Sequence, residues 1–368
     1  MKIAFIGGRD INSLGGIESY MKHLTRELVQ MGHEPIVFCE SDHNETMMAD
    51  GVKVIYMKGP KSNLICKPWV GLKATVHVLF NEKDVRVVHY NAWPPSLWSW
   101  IARLAGKKTI LQGHGFEWRH SKYSDSQVKV LKFMERITAW TNTNIILVSD
   151  EQRDYFQAVY HKDAVTIPTA VDLPSTDPED DTLIQDKYPL SSKRFFLFLG
   201  RLSKEKNIDY LIWAFSQIKD FKLAIAGTNT VEPEYVEYLK EQAKDNENVV
   251  FTGPVYGKEK NWLLQNAYCF CLPSTTEGMS IALLEAMSYR LPIIASDIIP
   301  NKEVLKDNAL FVRPENKDDL VDAFNAAIRD SQSMVLFADN NYSLVRDNYT
   351  WGHVAKHYVD YLEHIGVV

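Results

Sequence analysis

A chain of 368 residues is too long for one ordinary hydrophobic core and predicts two domains of roughly 150–190 residues. Its 45% hydrophobic and 24% charged content is that of a soluble globular protein. No run approaches the roughly 18 apolar residues that span a bilayer, and Met1–Gly8 is too short an apolar stretch for a signal peptide. The net charge of −6 is uneven: residues 1–140 hold 19 Lys and Arg against 13 Asp and Glu, the other 228 hold 22 against 34. The basic half is either ordinary solvated surface or a half that meets an anionic surface or acceptor.

Lys2–Gly8 predicts a buried strand. A helix from about Ile17 to Met31 follows, with Tyr20, Met21, Leu24 and Leu28 on one face and Gly32 past its end. Pro35–Glu40 as the next strand completes a βαβ opening, which points to a doubly wound parallel sheet. Gly7-Gly8 and Gly15-Gly16 stand six residues apart, too far for a dinucleotide fingerprint, so an NAD(P)-dependent oxidoreductase is a weak reading. Gly15-Gly16 directly before a helix suits a phosphate, or is only a tight helix entry.

Residues 51–56 and 84–90 read as further strands. Between them Lys58, Lys61, Lys67 and Lys73 mix with Ile65, Trp69, Val70 and Leu72, and Trp93, Trp98 and Trp100 follow. This is either a basic–aromatic membrane interface or a Trp-rich core. Lys108–Leu111 is a strand, and His114 lies between two glycines at its carboxyl end, where open α/β sheets bind ligands. Ile145–Ser149 is another strand, and Ser149-Asp150-Glu151 opens a helix to about Tyr160. Residues 173–192, rich in proline and acid, read as a solvated linker rather than a metal site.

The second half restarts with a strand at Arg194–Leu199, a Gly200-Arg201 turn, and Lys206 before a helix from Ile208. That spacing puts a guanidinium fork and an ammonium where a diphosphate would lie. Phe221–Ala226 and Val249–Gly253 repeat the pattern. In the strand Tyr268–Leu272, Cys269 and Cys271 alternate without metal-ligand spacing and read as core thiols of a reducing cytoplasm. Ile281, Leu283, Leu284 and Met287 recur at helical spacing, so a helix is expected from about Met279. Glu277 and Gly278 then precede its N-terminus and Glu285 falls on its third turn. Free amides and the helix dipole favour an anion there. Pro292–Ser296 is a strand, Asn301–Leu305 and Asp318–Ile328 are helical, and residues 350–362 form a closing helix.

Glu277 and Glu285 with seven residues between them, Gly200-Arg201-Leu202 with Lys206, Gly15-Gly16-Ile17-Glu18 and Gly113-His114-Gly115 together resemble the motifs of the group 1, family 4 nucleotide-sugar glycosyltransferases. The resemblance implies an α/β chain of the GT-B fold, two facing Rossmann-like, doubly wound domains with a cleft between them. Residues 1–172, completed by the helix 350–368, would bind the acceptor. Residues 173–192 would link them to the donor domain, 193–349. Glu277 would lie by the transferred sugar and Glu285 on the ribose. Gly278, Met279, Ser280 and Leu283 belong to the same donor stretch. Gly253 and Val255 fall where the base packs, and Gly15 and Gly16 reach the donor phosphates. Residues 115–122 look more narrowly like bacterial enzymes that build capsule, O-antigen and rhamnose polymers, which makes Arg9, Glu117 and Trp118 candidate acceptor residues. Tyr289-Arg290 departs from the family, which usually has a glycine there.

The implied activity is retaining transfer of a sugar from a UDP-, GDP- or dTDP-linked donor, with His114, Glu277, Arg201 and Lys206 as catalytic residues. Arg201, Lys206 and the amides at Gly278-Met279 would stabilise the departing diphosphate without a metal or other cofactor. The acceptor is expected to be a saccharide on a lipid diphosphate, met by a cytoplasmic protein held peripherally on an anionic membrane surface. No nucleic acid is expected. A glycoside hydrolase fits less well: its carboxylates stand about 5–9.5 Å apart, whereas eight residues of helix span about 12 Å. A periplasmic-type binding protein would not need Arg201 and Lys206. A nucleotide-sugar epimerase of the same fold shares the donor motifs and stays open.

Overall fold

The computed structural model describes residues 1–11, 15–119, 123–174 and 187–367. Most of the expected linker, with its acidic cluster at 177–181, lies outside these residues, as do parts of the loops 9–16 and 115–122. The chain divides into two compact units. The first comprises Met1–Arg119, Tyr123–Ala170 and Trp351–Val368, and the second includes Val171–Thr350.

In the first unit the strands are β1 (Lys2–Gly8), β2 (Glu34–Ser41), β3 (Glu45–Ala49), β4 (Val52–Lys58), β5 (Val87–Asn91), β6 (Lys108–Gly113), β7 (Ile145–Leu147) and β8 (Val165–Thr166). They lie in the order β3-β4-β2-β1-β5-β6-β7-β8, parallel except for β3 against β4. The direction of winding therefore reverses at β1, with β2 on one side and β5 on the other. β3 is an addition that the chain's apolar pattern does not announce. Asp50 and Gly51, at φ 50° and 80°, make the two-residue turn that folds it back on β4.

Alternate residues of β1 bury against opposite layers. Ile3 and Phe5 pack with Tyr20 and Leu24 of the helix Gly16–Gln30, and with Trp351, Val354, Tyr358 and Leu362 of the helix Trp351–His364. Ala4 and Ile6 pack with Val70, Ala74 and Val78 of the helix Asn63–Asn81 and Ala102 of the helix Ser99–Leu104. Leu111 of β6 continues that second layer to Ala139 of the helix Asp125–Thr141. The closing helix is thus part of the first unit's core, each large apolar side chain contributing about 1.5–3 kcal/mol by burial. The tryptophans divide: Trp93 is buried, Trp98 Nε1 donates to the Pro68 carbonyl at 2.7 Å, and Trp100 is exposed.

In the second unit β9 (Phe195–Leu199), β10 (Lys222–Ala226), β11 (Val249–Gly253), β12 (Cys269–Leu272), β13 (Ile293–Ser296) and β14 (Leu310–Val312) form an all-parallel sheet. The order is β11-β10-β9-β12-β13-β14. Both faces are covered, which is why Phe195-Phe196-Leu197-Phe198 is apolar throughout. Phe195 and Leu197 face Leu284 and Met287 of the helix Ile281–Ser288, and Phe196 and Phe198 face Leu211 and Phe215 of the helix Ile208–Phe215. Cys269 and Cys271 are free, buried thiols in that second cluster. Arg290 takes the left-handed conformation, φ 53°, where glycine is usual. Its guanidinium lies over the Tyr342 ring at 4.3 Å and 3.5 Å from Asp339. Among the described residues no helix is long and apolar enough to cross a membrane.

Candidate active site

At the carboxyl edge of the second sheet, β9 runs into Gly200, β10 into Gly227 and β11 ends at Gly253. Gly200 N donates to the Ala226 carbonyl at 3.0 Å and Gly227 N to that of Gly253 at 2.9 Å. A Cβ on Gly227 would come 1.8 Å from the Gly200 oxygen, so glycine is required for this close crossing. Arg201 leaves the crossing, and a 3₁₀ turn, Lys204–Lys206, carries the chain to Asn207 and the next helix. Asn207 Nδ2 donates to the Pro273 carbonyl at 2.9 Å, and Thr275 N to that of Glu205 at 2.8 Å. These two bonds stitch the loop after β9 to the loop after β12.

The stitching brings Lys206 and Glu277 together. Lys206 Nζ lies 2.5 Å from Glu277 Oε1, and Ser274 Oγ donates to the same oxygen at 2.7 Å. Only 8% of the Glu277 side chain is exposed. Arg201, more open, donates to Glu205 Oε1 at 3.1 Å, and Glu205 is buried. The two cations expected at a diphosphate therefore each hold a carboxylate.

The helix after Glu277 starts later than the apolar periodicity suggests. It spans Ile281–Ser288, and Ser280 caps it by accepting from Leu283 N at 3.3 Å. Gly278 and Met279 precede the cap, so their amides are not those of the first helical turn. Glu285 lies on the second turn, not the third, and pairs with Lys260 at 2.5 Å. Lys260, on the helix Gly257–Asn266, has no sequence signal that marks it. Leu283 and Val255 are buried in the core, leaving only their backbone to meet a ligand. Gly253 has φ 73°.

In the first unit Gly15 is the N-cap of the helix Gly16–Gln30. Glu18 folds back over it: Arg9 N donates to Glu18 Oε1 at 3.0 Å, and a Cβ on Gly15 would lie 2.0 Å from Oε2. The Glu18 carboxylate thus lies against Gly15. The Arg9 side chain itself reaches Glu40 at 3.1 Å.

His114 follows β6. Its Nε2 is 3.3 Å from Asn91 Oδ1, and its ring meets the edge of Tyr20 at 4.9 Å. Burial, then the charge of Lys67, pushes its pKa down to about 3, so the imidazole is neutral at physiological pH. Behind it His89, fully buried, has Nδ1 2.9 Å from the Tyr358 hydroxyl and is likewise pushed down to about 3, by burial and then His114.

Glu117 and Trp118 sit on a single 3₁₀ turn, Glu117–Arg119. Trp118 Nε1 donates to Glu135 Oε2 at 3.0 Å, Tyr160 donates to Oε1 at 2.8 Å, and Lys132 lies 4.1 Å over the indole. Glu135 is fully buried, which raises its pKa. Sequence reasoning passed over it, since an acid on the inner face of an amphipathic helix breaks the pattern without naming a partner. Arg9 is joined through Glu18 to the glycine loop rather than to Glu117 or Trp118. Among the described residues no group of three or more His, Cys, Asp or Glu side chains gathers as a metal site.

Two doubly wound, mostly parallel sheets in one chain, the second with cations and glutamates paired at its carboxyl edge, make a protein of two Rossmann-like units. Residues 180–343 match the model of glycosyl transferases group 1 and residues 14–174 that of glycosyltransferase family 4; the chain belongs to this family of GT-B glycosyltransferases. An uncharacterised glycosyltransferase of Methanocaldococcus jannaschii is 26% identical over 94% of each chain. A GDP-mannose-dependent α-(1-6)-phosphatidylinositol monomannoside mannosyltransferase of Mycolicibacterium smegmatis is 26% identical over 86% of this chain and 85% of its own. Sucrose-phosphate synthase of Thermosynechococcus elongatus shares the fold, with a TM-score of 0.84 over 99% of each chain at 18% identity.

Proposed function

We propose that this glycosyltransferase moves a sugar, with retention, from a nucleoside-diphosphate sugar to a saccharide on a lipid carrier, in the building of a bacterial surface polysaccharide. The observation that carries the reading is the Lys206–Glu277 pair beside Arg201 at the ends of β9 and β12. The bond from the sugar's anomeric carbon to phosphate oxygen breaks, and its electron pair leaves with the diphosphate. Lys206 and Arg201 meet that charge by turning from carboxylate to phosphate. The acceptor oxygen attacks the oxocarbenium-like carbon on the same face, and its proton passes to the departing phosphate oxygen. Glu277 stands by the sugar, while Glu285, held by Lys260, takes the ribose hydroxyls. The lipid acceptor named for the Mycolicibacterium relative supports a lipid-borne acceptor here.

A thermal-shift panel of UDP, GDP, dTDP and their sugars tests the reading. The matching nucleotide at 100 times its Kd adds about 2.7 kcal/mol of stability, and Glu285→Gln weakens that gain. A donor that is consumed without acceptor to give an epimerised nucleotide sugar overturns transfer. A second expectation is that turnover survives EDTA, because lysine and arginine supply the charge a metal would. Loss of activity restored by magnesium or manganese counts against this mechanism.

A further inference from the structure

The first unit's two helical layers differ sharply at their surfaces. Among the described residues, nine large apolar side chains exposed to solvent lie on the helices Asn63–Asn81, Ser99–Leu104 and Asp125–Thr141, including Trp140 and Leu104 at 77%, Phe80 at 70% and Phe133 at 63%. Among the described residues, none lies on the opposite layer, the helices Gly16–Gln30 and Trp351–His364. Charge follows the same division. The three helices carry six Lys and Arg against two acids, Asp125 and the buried Glu135, and with the helix Asp150–Tyr160, whose Phe156 packs in the same layer, the count is seven against five. The opposite two carry three basic residues against four acidic ones.

We propose that this helical layer is the surface on which the protein docks to an anionic lipid bilayer, centred on the outward side of the helix Asp125–Thr141. The proposal rests on the lipid-borne acceptor reading. Phe133 and Trp140 stand two turns apart and so share a side, and Lys129 and Arg136 flank them, all exposed. Aromatic and aliphatic side chains settle at the headgroup–acyl boundary while basic ones extend to the phosphates. From residue 126 to 141 the only acid is the buried Glu135, so the exposed positions offer a basic protein partner nothing to pair with. An apolar exposure this broad on a soluble protein marks an interaction surface. The surface also joins the candidate acceptor loop, because Lys132 lies over Trp118 and Glu135 holds its indole. The centre therefore lies at 129–140 rather than at 58–73, where Lys73 is turned to the Lys58 carbonyl at 3.0 Å.

Flotation with phosphatidylcholine vesicles, with and without phosphatidylglycerol, tests this at low and physiological salt. Wild type binds only the anionic vesicles, more weakly as salt rises. The pairs Phe133→Ser with Trp140→Ser, and Lys129→Glu with Arg136→Glu, each lose at least about tenfold in affinity. Lys22→Glu with Lys356→Glu, on the opposite layer, binds like wild type, and all variants keep the wild-type melting point and nucleotide-induced shift. Wild type that ignores anionic vesicles at low salt overturns the proposal, as does unchanged binding by both pairs. Self-association of wild type that the same pairs abolish, with no vesicle binding, assigns the surface to a second copy instead. A missing nucleotide shift in wild type strikes the donor reading alone, and the vesicle result still decides the docking face.

Discussion

Lys206→Ala is expected to lower kcat by about 10²–10³-fold and to destabilise the second unit by about 3–5 kcal/mol. The two effects have different origins. In catalysis the ammonium meets charge on the departing diphosphate. In the resting fold it compensates Glu277, whose carboxylate is almost wholly buried and keeps only the Ser274 hydroxyl once the lysine is gone. Adding Glu277→Gln to Lys206→Ala removes the uncompensated charge and should restore most of the stability, but none of the turnover. Arg201→Ala separates the effects from the other side: its guanidinium is 39% exposed, so activity falls with little loss of stability. Urea unfolding and steady-state kinetics on the three variants decide the matter. A Lys206→Ala protein that unfolds and turns over like wild type would remove both roles.

Acid should weaken the first unit through His89 and His114. Both are held neutral in the fold, with pKa values near 3, whereas an unfolded histidine protonates at about 6.5. Below that value the unfolded chain binds more protons than the folded one, so stability falls as pH drops from 6.5 towards 3. Each histidine contributes a slope of up to about 1.4 kcal/mol per pH unit, hence about 2 kcal/mol by pH 5. His89→Gln removes one such group while leaving a polar partner for the Tyr358 hydroxyl. The gap in unfolding free energy between wild type and this variant should therefore narrow, then invert, between pH 7 and pH 5. Curves that stay parallel over that range would show that His89 does not set the acid limit.

Where the sequence is informative, the reason is burial. Runs such as Phe195–Leu199 and Ile293–Ser296 are covered on both faces, so they stand out as strands, and the helices between them show a one-sided apolar period. The doubly wound alternation of both halves was legible for that reason. β3 was not, because four of its five residues are exposed, on both sides of the strand, and only Asp50-Gly51 hints at a hairpin. The start of the helix at Ile281 was misplaced because Met279 extends the apolar period, whereas the Ser280 hydroxyl ends the helix there. Lys206 and Glu277 were each singled out, but 71 residues separate them. Their pairing depends on Asn207 and Thr275 tying two loops together, which no local pattern encodes. Lys260 and Glu135 escaped notice for the same reason: each is defined by a distant partner.

The helix Trp351–His364 has a consequence for how the chain is made. Its Trp351, Val354, Tyr358 and Leu362 fill the core around Ile3, Phe5 and Leu24, so the early strands of the chain are completed by a helix synthesised after the whole of Val171–Thr350. Domains usually fold in the order in which they leave the ribosome. Here one side of the sheet β1–β8 emerges with the helix Gly16–Gln30 but without the helix Trp351–His364, while Val171–Thr350 has every strand of its own sheet. Until the helix Trp351–His364 is released from the exit tunnel, the nascent first unit is expected to expose apolar surface of the kind that chaperones bind. A stop codon anywhere after residue 350 but before Tyr358 would leave a finished C-terminal half tethered to an unfinished partner.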